Sequence, residues 1–351
     1  MTVRAKPELL PAEPLVSVAM ITYNHEKYIR QAIQGALNQQ TAFPYELVVG
    51  EDCSLDRTRQ IVLDFQRRFP HRVRAITGPR NVGGHENARR VLQACRGKYI
   101  AFCEGDDYWH NPLKLQVQVD FLEANPDYGL VHGDVRIHDV TTGAIENGTS
   151  GRSERWRDDN AYLEILSGSR IIWSPTACLR AKLYRTLLEQ NPECRDERFL
   201  MGDLQTWLEI SRLAKVKYVP ELLATRNELP ESASRSRDPR RMLRFVLSVK
   251  AAHECYLQKY ECPLELAATV RLTHTRCVLY YAFKALDREE AQRQYTALKA
   301  IPQGVSARHL LFCIGSRSVW LQKAIRLIIK VADGAVRLRR SSPAGGSGMD
   351  P

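Results

Sequence analysis

The chain of 351 residues is long enough for one large hydrophobic core or two adjoining ones, and 44% hydrophobic residues are typical of a globular protein. Its formal net charge of +11 at pH 7 is unevenly distributed. Residues 1–230 contain 30 Lys and Arg against 30 Asp and Glu, whereas residues 231–351 contain 21 against 10. The basicity therefore belongs to the C-terminal third, and the first two thirds do not have the charge of a nucleic-acid binder.

Cysteine spacing and hydropathy indicate the cellular compartment. The nine cysteines form no CxxC pair and no His/Cys ligand spacing, so reduced thiols in a cytosolic protein are expected. The N-terminal residues lack the uninterrupted apolar core of a signal peptide, and no stretch of about 18 apolar residues could span a bilayer. These features predict a cytoplasmic protein.

Short apolar runs alternate with helical patterns over the first hundred residues. Branched and aromatic residues typical of buried strands are concentrated in 15–22, 45–50, 72–77 and 98–103. Apolar residues recur at helical spacing between these runs. The order strand, helix, strand predicts an α/β fold with a parallel sheet and right-handed crossovers.

A polar, glycine-rich or acidic segment follows each of the four predicted strands. Ligands of such sheets bind beyond the carboxyl ends of the strands, which meet at one edge. Each segment alone could be an ordinary turn, but four at one edge predict a binding site. The segments are TYN (22–24), EDCSLD (51–56), GPRNVGG (78–84) and EGDDYW (104–109).

The last of these segments gathers Glu104, Asp106 and Asp107 within four positions. Carboxylates this close repel one another unless a cation or hydrogen-bond donors compensate their charge. Mg²⁺ and Mn²⁺ commonly take one or two carboxylates together with phosphate oxygens of a substrate. The spacing therefore predicts a divalent cation that holds a diphosphate.

The rest of the chain continues the α/β pattern and then becomes helical. Asn111-Pro112 predicts the start of a helix that extends to about residue 124, and a strand-like stretch covers 128–139. The turn-rich, charged residues 141–160 are predicted to form a mobile surface loop near the site. From Arg240 onward the pattern is mainly helical.

Residues 319–340 have the pattern of an amphipathic, mostly cationic helix, with Trp320, Ala324, Leu327 and Ile328 on one stripe. Such a helix can insert its apolar face into an anionic membrane surface. It can equally pack on its own domain and leave its charged face in water. The working hypothesis is peripheral attachment to the inner face of the cytoplasmic membrane.

Three stretches in order carry a further pattern: VSVAMITYNHEKYIRQAIQGALNQ, ELVVGEDCSLDRT and NVGGHENARRVLQACRGKYIAFCEGDDYW. Together they resemble the family 2 glycosyltransferases and their GT-A fold, a Rossmann-like, mainly parallel central sheet with flanking helices that binds nucleotide sugars. The resemblance and the patterns above imply a domain organisation. Its parts are a flexible N-terminus (1–14), a GT-A domain (15–235) with a nucleotide-binding half (15–127) and an acceptor-binding half (128–235), a basic helical region (236–340) and a disordered tail (341–351).

The resemblance implies roles for residues of the donor site. Tyr23 would line the nucleobase pocket or stack on the base, and Asp52 would hydrogen-bond the base. Asp106 and Asp107 would bind Mn²⁺ or Mg²⁺, with Glu104 in place of the family's usual first Asp. The other implied donor-site residues are Thr22, Asn24, Glu51, Ser54, Arg80, Asn81 and Asn87.

The segment MGDLQTWLEISRLAKVKYVPELLATRNELPESAS resembles the family's second signature. There an acidic residue opens a helix beside the acceptor, which makes Asp203 the candidate general base. The alternative is that Asp203 is an ordinary N-terminal helix residue favoured by the macrodipole. The family's Arg and Ser residues that close over the diphosphate match Arg226, Ser232 and Ser234, whereas Asn227 and Glu228 depart from the commoner pattern.

The resemblance implies metal-dependent, inverting transfer of a sugar from a nucleotide-diphosphate sugar to a glycan or lipid-linked acceptor, in bacterial surface polysaccharide or lipopolysaccharide assembly. Two alternatives stay open. A nucleotidyltransferase acting on a sugar phosphate should carry a Gly-rich, Lys/Arg-bearing loop after the first strand, where this chain has TYNHEKY. A nucleic-acid-binding protein should interleave aromatic residues with its basic third, which this chain does not, so no nucleic-acid partner is expected.

Overall fold

The computed structural model describes residues 13–148, 156, 158–230, 232, 234, 236–301 and 304–341, without the side chains of 148 and 331–341. The chain divides into two compact units, Met1–Ser232 and Ala233–Pro351. Apart from residues 13, 14 and 341, the predicted flexible N-terminus and disordered tail lie outside the described residues.

The described residues of the first unit contain nine strands in one mixed sheet, in the order β3-β2-β1-β4-β8-β6-β9-β5 with β7 paired to β6. The strands are β1 (Val16–Thr22), β2 (Tyr45–Glu51), β3 (Val73–Thr77), β4 (Tyr99–Phe102), β5 (Tyr108–Trp109), β6 (Tyr128–Asp139), β7 (Ile145–Gly148), β8 (Cys178–Arg180) and β9 (Lys215–Glu228). The helices of this unit are α1 (Ile29–Leu37), α2 (Thr58–Arg68), α3 (Gly84–Ala94), α4 (Lys114–Ala124), α5 (Ala161–Leu166), α6 (Ala181–Gln190) and α7 (Gly202–Leu213).

The four strands predicted in the first hundred residues are present and run parallel to one another as β1 to β4. Each differs from its predicted bounds by at most one residue at either end. Every residue of β2 is buried and nearly every residue of β1, because these central strands lie between two layers of structure. The predicted α/β fold is confirmed.

The second half of the sheet brings further strand ends to the same edge. β8 is antiparallel to both β4 and β6, and β9 is parallel to β6. β6 and β9 therefore run in the same direction as β1 to β4. As a result, the carboxyl end of β9 lies at the edge where the sequence predicts the site.

One prediction in this half is wrong. Residues 145–148, placed in a mobile loop, form β7 and pair with Val135–His138 of β6 as a hairpin. The Asp139 carboxylate accepts hydrogen bonds from the N–H groups of Thr141 and Thr142, and Gly143 has a φ of +73°. These local contacts turn the chain back on itself. Residues 149–155 and 157 of the predicted loop lie outside the described residues.

The second unit is helical in its described part, as predicted. A hydrophobic cluster from its helices includes Leu243, Val278, Phe283, Phe312 and Ile325. Within the described part of the whole chain, no helix is both long enough and apolar enough to cross a bilayer. The helices of this unit are α8 (Pro239–Lys259), α9 (Leu264–Ala285), α10 (Arg288–Lys299), α11 (Ala307–Gly315) and α12 (Val319–Ser341).

Lys114, at the start of α4, is fully buried. Its Nζ donates a hydrogen bond to Gln118 Oε1 (2.8 Å) and lies 4.2 Å from the ring centroid of Trp109. Burial lowers the pKa of Lys114 from 10.5 to about 8. Between these values the unfolded chain keeps the proton that the folded chain has lost, so raising the pH stabilises the fold.

We expect the free energy of unfolding of the wild type, minus that of Lys114→Met, to rise between pH 8 and pH 10.5 by up to about 1.4 kcal/mol per pH unit. Urea unfolding at a series of pH values measures this difference. Lys182→Met, at an exposed position of α6, controls for the loss of a surface charge. A pH-independent difference for Lys114→Met would contradict the assignment.

Candidate active site

The site lies at the edge of the sheet where β1, β2, β3, β4 and β9 end. The loops after β1 and β2 are joined by hydrogen bonds. The N–H of Asn24 donates to Ser54 Oγ (3.0 Å), and Asn24 Oδ1 accepts from the N–H of Leu55 (2.8 Å). Asn24 and Cys53 have positive φ values of 55° and 60°, so both loops turn sharply through left-handed residues. Tyr23, in the loop after β1, is 38% exposed, which leaves part of its ring open to a ligand.

Thr22 and Glu51, the last residues of β1 and β2, are buried and hold this edge together. The hydroxyl of Thr22 lies 3.3 Å from Nδ1 of His25. Glu51 accepts a hydrogen bond from the N–H of Ser54 (2.6 Å) and an ion-pair hydrogen bond from Nε of Arg59 (2.6 Å). The Glu51 carboxylate thus fixes the loop after β2.

Asp52 fixes the neighbouring loop. Its two carboxylate oxygens accept hydrogen bonds from the N–H groups of Val82 and Gly83, each 2.9 Å long, and its carbonyl accepts one from the amide of Asn81 (3.2 Å). Each carboxylate oxygen has a second lone pair for a ligand. Asp52 therefore shapes the loop after β3, and its predicted bond to the base stays a prediction.

The three residues predicted for the wall of the donor site have different environments. Arg80 and Asn81 are exposed in the loop after β3. Asn87 is buried in α3 and donates to the carbonyl of Gly50 (2.8 Å). A Cβ on Gly50 would lie 2.6 Å from Asn87 Oδ1, so this side chain packs directly against β2. Asn87 supports the strand from behind, whereas Arg80 and Asn81 can reach a ligand.

The acidic segment packs tightly on the end of β1. The N–H of Gly105 donates to the carbonyl of Ile21 (2.8 Å), and the N–H of Asp107 donates back to the carbonyl of Glu104 (3.1 Å). A Cβ on Gly105 would lie 2.5 Å from Thr22 Oγ1. A larger residue would push the turn away from β1. Glycine at position 105 therefore keeps the carboxylates of the turn close to the end of the strand.

Burial and neighbouring charges raise the pKa values of two carboxyl groups in this turn. Burial, followed by the charge of Asp106, raises the pKa of Glu104 to about 7, while Arg226 opposes the shift. Asp203 also raises the pKa of Glu104. Burial and the charges of Asp106 and Glu104 raise the pKa of Asp107 well above its usual range. The charges of Asp203 and Arg226, from distant parts of the sequence, therefore act on the acidic segment, and the roles expected of both residues stay predictions.

The donor atoms at this turn fit a divalent cation. Oε2 of Glu104 is buried without a hydrogen-bond partner, and Asp106 is partly exposed, with Oδ1 4.0 Å from Nδ1 of His25. In the part of the chain that the structure describes, no three His, Cys, Asp or Glu side chains converge as a metal site. Hard cations such as Mg²⁺ need only one or two carboxylates when phosphate oxygens complete their coordination.

Asn227 is a residue of the site that the sequence reasoning missed. Its N–H donates to Asp107 Oδ1 (2.9 Å), and its side-chain amide donates to the carbonyl of Asp106 (2.5 Å). Its Oδ1 lies 2.9 Å from Nδ1 of His138. Asn227 thus joins the end of β9 to the acidic segment. The available signal was its departure from the family pattern beside Arg226.

Arg226 and Asp203 contact a segment for which no role was predicted from the sequence. The guanidinium of Arg226 donates to Glu228 Oε1 (3.0 Å) and lies 5.2 Å from the ring centroid of Trp173. Asp203, in the first turn of α7, accepts a hydrogen bond from the hydroxyl of Ser174 at Oδ2 (2.5 Å). The position of Asp203 is thus consistent with both a helix-start residue and a base beside the acidic segment.

The two serines of the predicted closing segment fall in different units. Ser232 closes a turn after β9, in which its Oγ accepts from the N–H of Leu229 (3.3 Å) and its N–H donates to the carbonyl of Leu229 (3.1 Å). Ser234 belongs to the second unit. Their roles at the diphosphate stay predictions.

Comparison with known proteins places this site in a family. Residues 17–188 match the model of Glycosyl transferase family 2. This segment, just under half of the chain, is of family 2. The family 2 match includes the loops after β1 to β4, whereas Asp203 and Arg226 lie beyond it.

Similar proteins cover parts of the chain. An uncharacterized protein of Mycobacterium tuberculosis (strain H37Rv) is 43% identical over 122 residues, 35% of this chain and 35% of that protein. The putative teichuronic acid biosynthesis glycosyltransferase TuaG of Bacillus subtilis is 31% identical over 110 residues, 31% of this chain and 42% of TuaG. The chain thus spans well under two thirds of the length of these curated relatives.

Solved structures are similar to this chain in fold. TarS 1–349 of Staphylococcus aureus in complex with UDP-GlcNAc has a TM-score of 0.59 at 15% identity, over 90% of this chain and 92% of that one. The mannosyltransferase PcManGT of Pyrobaculum calidifontis, in complex with GDP-Man and Mn²⁺, has a TM-score of 0.52 at 15% identity, over 90% and 86%. At these identities the similarity shows the GT-A fold alone.

Proposed function

We propose that this protein transfers a sugar from a nucleoside-diphosphate sugar to a hydroxyl group of a glycan or lipid-linked acceptor, with inversion at the anomeric carbon. The observation that carries the proposal is the convergence at one edge of the sheet of the acidic segment, the end of β9 with Arg226, which Asn227 bonds to that segment, and Asp203, whose charge acts on Glu104. Family membership supports sugar transfer over nucleotidyl transfer and over nucleic-acid binding.

The proposed reaction uses Asp203 as the general base. Its carboxylate takes the proton of the acceptor hydroxyl while the acceptor oxygen forms a bond to the anomeric carbon. The bond from that carbon to the phosphate oxygen breaks on the opposite side, and its electron pair leaves with the nucleoside diphosphate. Attack opposite the leaving group inverts the anomeric configuration.

The leaving diphosphate carries negative charge into a region that already contains several carboxylates. The guanidinium of Arg226 can hydrogen-bond phosphate oxygens in a bidentate geometry, and Ser232 can donate a hydroxyl hydrogen bond to them. A bound Mn²⁺ or Mg²⁺, held by Asp106 and Asp107, would supply Lewis-acid stabilisation of the leaving group. Such a cation would also compensate the charge that raises the pKa of Glu104.

We assign the donor's nucleoside to the loops after β1, β2 and β3. The partly exposed ring of Tyr23 offers a face on which a base can stack. Exposed Arg80 and Asn81 lie on the loop that Asp52 fixes. The name of TuaG and the UDP-GlcNAc complex of TarS support a context of bacterial surface polysaccharide assembly.

We further propose that α12 attaches the protein to an anionic membrane surface. Gln322 and Ile325 pack into the second unit, whereas Trp320, Leu327 and Ile328 are 81%, 64% and 53% exposed. The helix therefore packs through a different face from the apolar stripe seen in the sequence. The exposed stripe lies among Lys323, Arg326 and Lys330 in the basic third of the chain, so an anionic lipid surface complements both its apolar and its charged residues.

For donor binding, we expect Mn²⁺ to increase the affinity for the correct nucleotide sugar by about tenfold or more, because the cation bridges carboxylate and diphosphate. Isothermal titration calorimetry with UDP-, GDP-, CDP- and dTDP-sugars, including UDP-GlcNAc and GDP-mannose, measures this increase. Asp106→Asn should abolish the effect of Mn²⁺, whereas Asp120→Asn on the exposed face of α4 should not. If no nucleotide sugar binds, or if Mn²⁺ leaves every affinity unchanged, the proposal is wrong.

For the chemical step, we expect Asp203→Asn to lower kcat by roughly 10² to 10⁴, the range typical of a general base, with little change in KM for the donor. The rate is measured as the release of nucleoside diphosphate from the tightest-binding donor, with water as the acceptor. The natural acceptor therefore does not need to be known. A normal rate in Asp203→Asn would show that Asp203 is not the general base.

For membrane attachment, we expect the full chain to pellet with vesicles of phosphatidylcholine and phosphatidylglycerol and to remain in solution with phosphatidylcholine alone. The double variant Trp320→Gln/Leu327→Gln should weaken pelleting by about tenfold or more, because it removes apolar groups that would insert. Leu264→Gln/Leu310→Gln changes two other exposed leucines of the same unit and should bind normally. Equal pelleting of both double variants would refute the role of α12.

A further inference from the structure

Residues 173–176, here called the bridge segment, are fixed by buried hydrogen bonds. The side-chain amide of Gln118 in α4 donates to the carbonyl of Thr176 (2.7 Å). The indole N–H of Trp109, at the end of the acidic segment, donates to the carbonyl of Pro175 (2.8 Å). Thr176 closes the segment on itself by donating its N–H and its hydroxyl to the carbonyl of Trp173, both at 2.8 Å. The bridge segment is therefore held in one conformation beside the acidic segment.

Two residues of the bridge segment contact the two charged groups that the proposed reaction needs from the acceptor half. The hydroxyl of Ser174 donates to Oδ2 of Asp203, and the ring of Trp173 lies under the guanidinium of Arg226. A base and a phosphate-binding cation must be aligned on opposite sides of the reacting carbon. The bridge segment is where the structure couples their positions.

We propose that Ser174 is a positioning residue for the general base Asp203, and that it acts by holding Oδ2 so that Oδ1 is left for the acceptor hydroxyl. This inference rests on the proposed function. A hydroxyl donor to one carboxylate oxygen selects a single rotamer of the aspartate side chain. Without it, an aspartate in the first turn of a helix can instead accept hydrogen bonds from the free N–H groups of that turn.

Ser174 itself is not suited to the role of base. Its hydroxyl proton is committed to Asp203 at 2.5 Å, and an unactivated hydroxyl does not take a proton from another hydroxyl near neutral pH. Its contribution is the orientation of the carboxylate, so it should affect the chemical step and leave donor binding unchanged. A hydrogen bond to a charged group of this kind corresponds to a rate effect of roughly 10- to 100-fold when it is lost.

The test compares Ser174→Ala with Ser174→Thr, which keeps the hydroxyl. We expect Ser174→Ala to lower kcat for donor hydrolysis by roughly 10- to 100-fold at unchanged donor KM, and Ser174→Thr to restore most of the rate. Ser211→Ala is the matched control, because its hydroxyl donates only to a backbone carbonyl of the same helix α7 (2.8 Å). The thermal midpoint of each variant shows whether it is folded.

A double-mutant cycle with Asp203→Asn separates positioning from other roles. If Ser174 acts through the base, Ser174→Ala should have no further effect on kcat once Asp203 is replaced. A normal rate in Ser174→Ala, or an undiminished loss in the Asp203→Asn background, overturns the inference while leaving the proposed function intact. If Asp203→Asn itself keeps the normal rate, the base assignment fails and the role of Ser174 fails with it.

Discussion

Mutual repulsion among carboxylates at the end of β4 is the constraint on which the site depends. Burial and the neighbouring charges raise the pKa values of Glu104 and Asp107, so ionising both of these carboxyl groups costs free energy. Backbone N–H groups and Arg226 compensate only part of this charge. Such a cluster attracts positive charge at the place where we propose that a cation and a diphosphate bind.

The direction of the strands determines which residues can compensate the negative charge of the acidic segment. β8 runs antiparallel between β4 and β6, which restores the direction of β1 to β4 in β6 and β9. Residues at the end of β9 therefore reach the acidic segment although they are about 120 positions away in the sequence. Residues 15–127 contribute loops tied by carboxylates, and residues 128–235 contribute Asp203, Arg226 and the bridge segment.

Much of this arrangement was predictable, because hydrophobic runs and the polar segments after them are local patterns. They located β1 to β4 within a residue and identified the acidic segment. Asn227 and Ser174 were not found, because their importance lies in partners 120 and 29 residues away, and no local spacing marks them. The hairpin of β6 and β7 was missed because turn-forming residues dominate the sequence after β6. These residues indicated a long loop, whereas they form the tight turn of the hairpin.

The close packing of Gly105 against Thr22 limits how the backbone of the acidic segment can change. A side chain at this position would push the turn away from β1, so the backbone spacing between the flanking carboxylates is rigid. For the proposed divalent cation, the reach of the side chains would then set the ion preference. The glutamate in the first acidic position adds one methylene to that reach, so ions of different radius would fit without a change in the main chain.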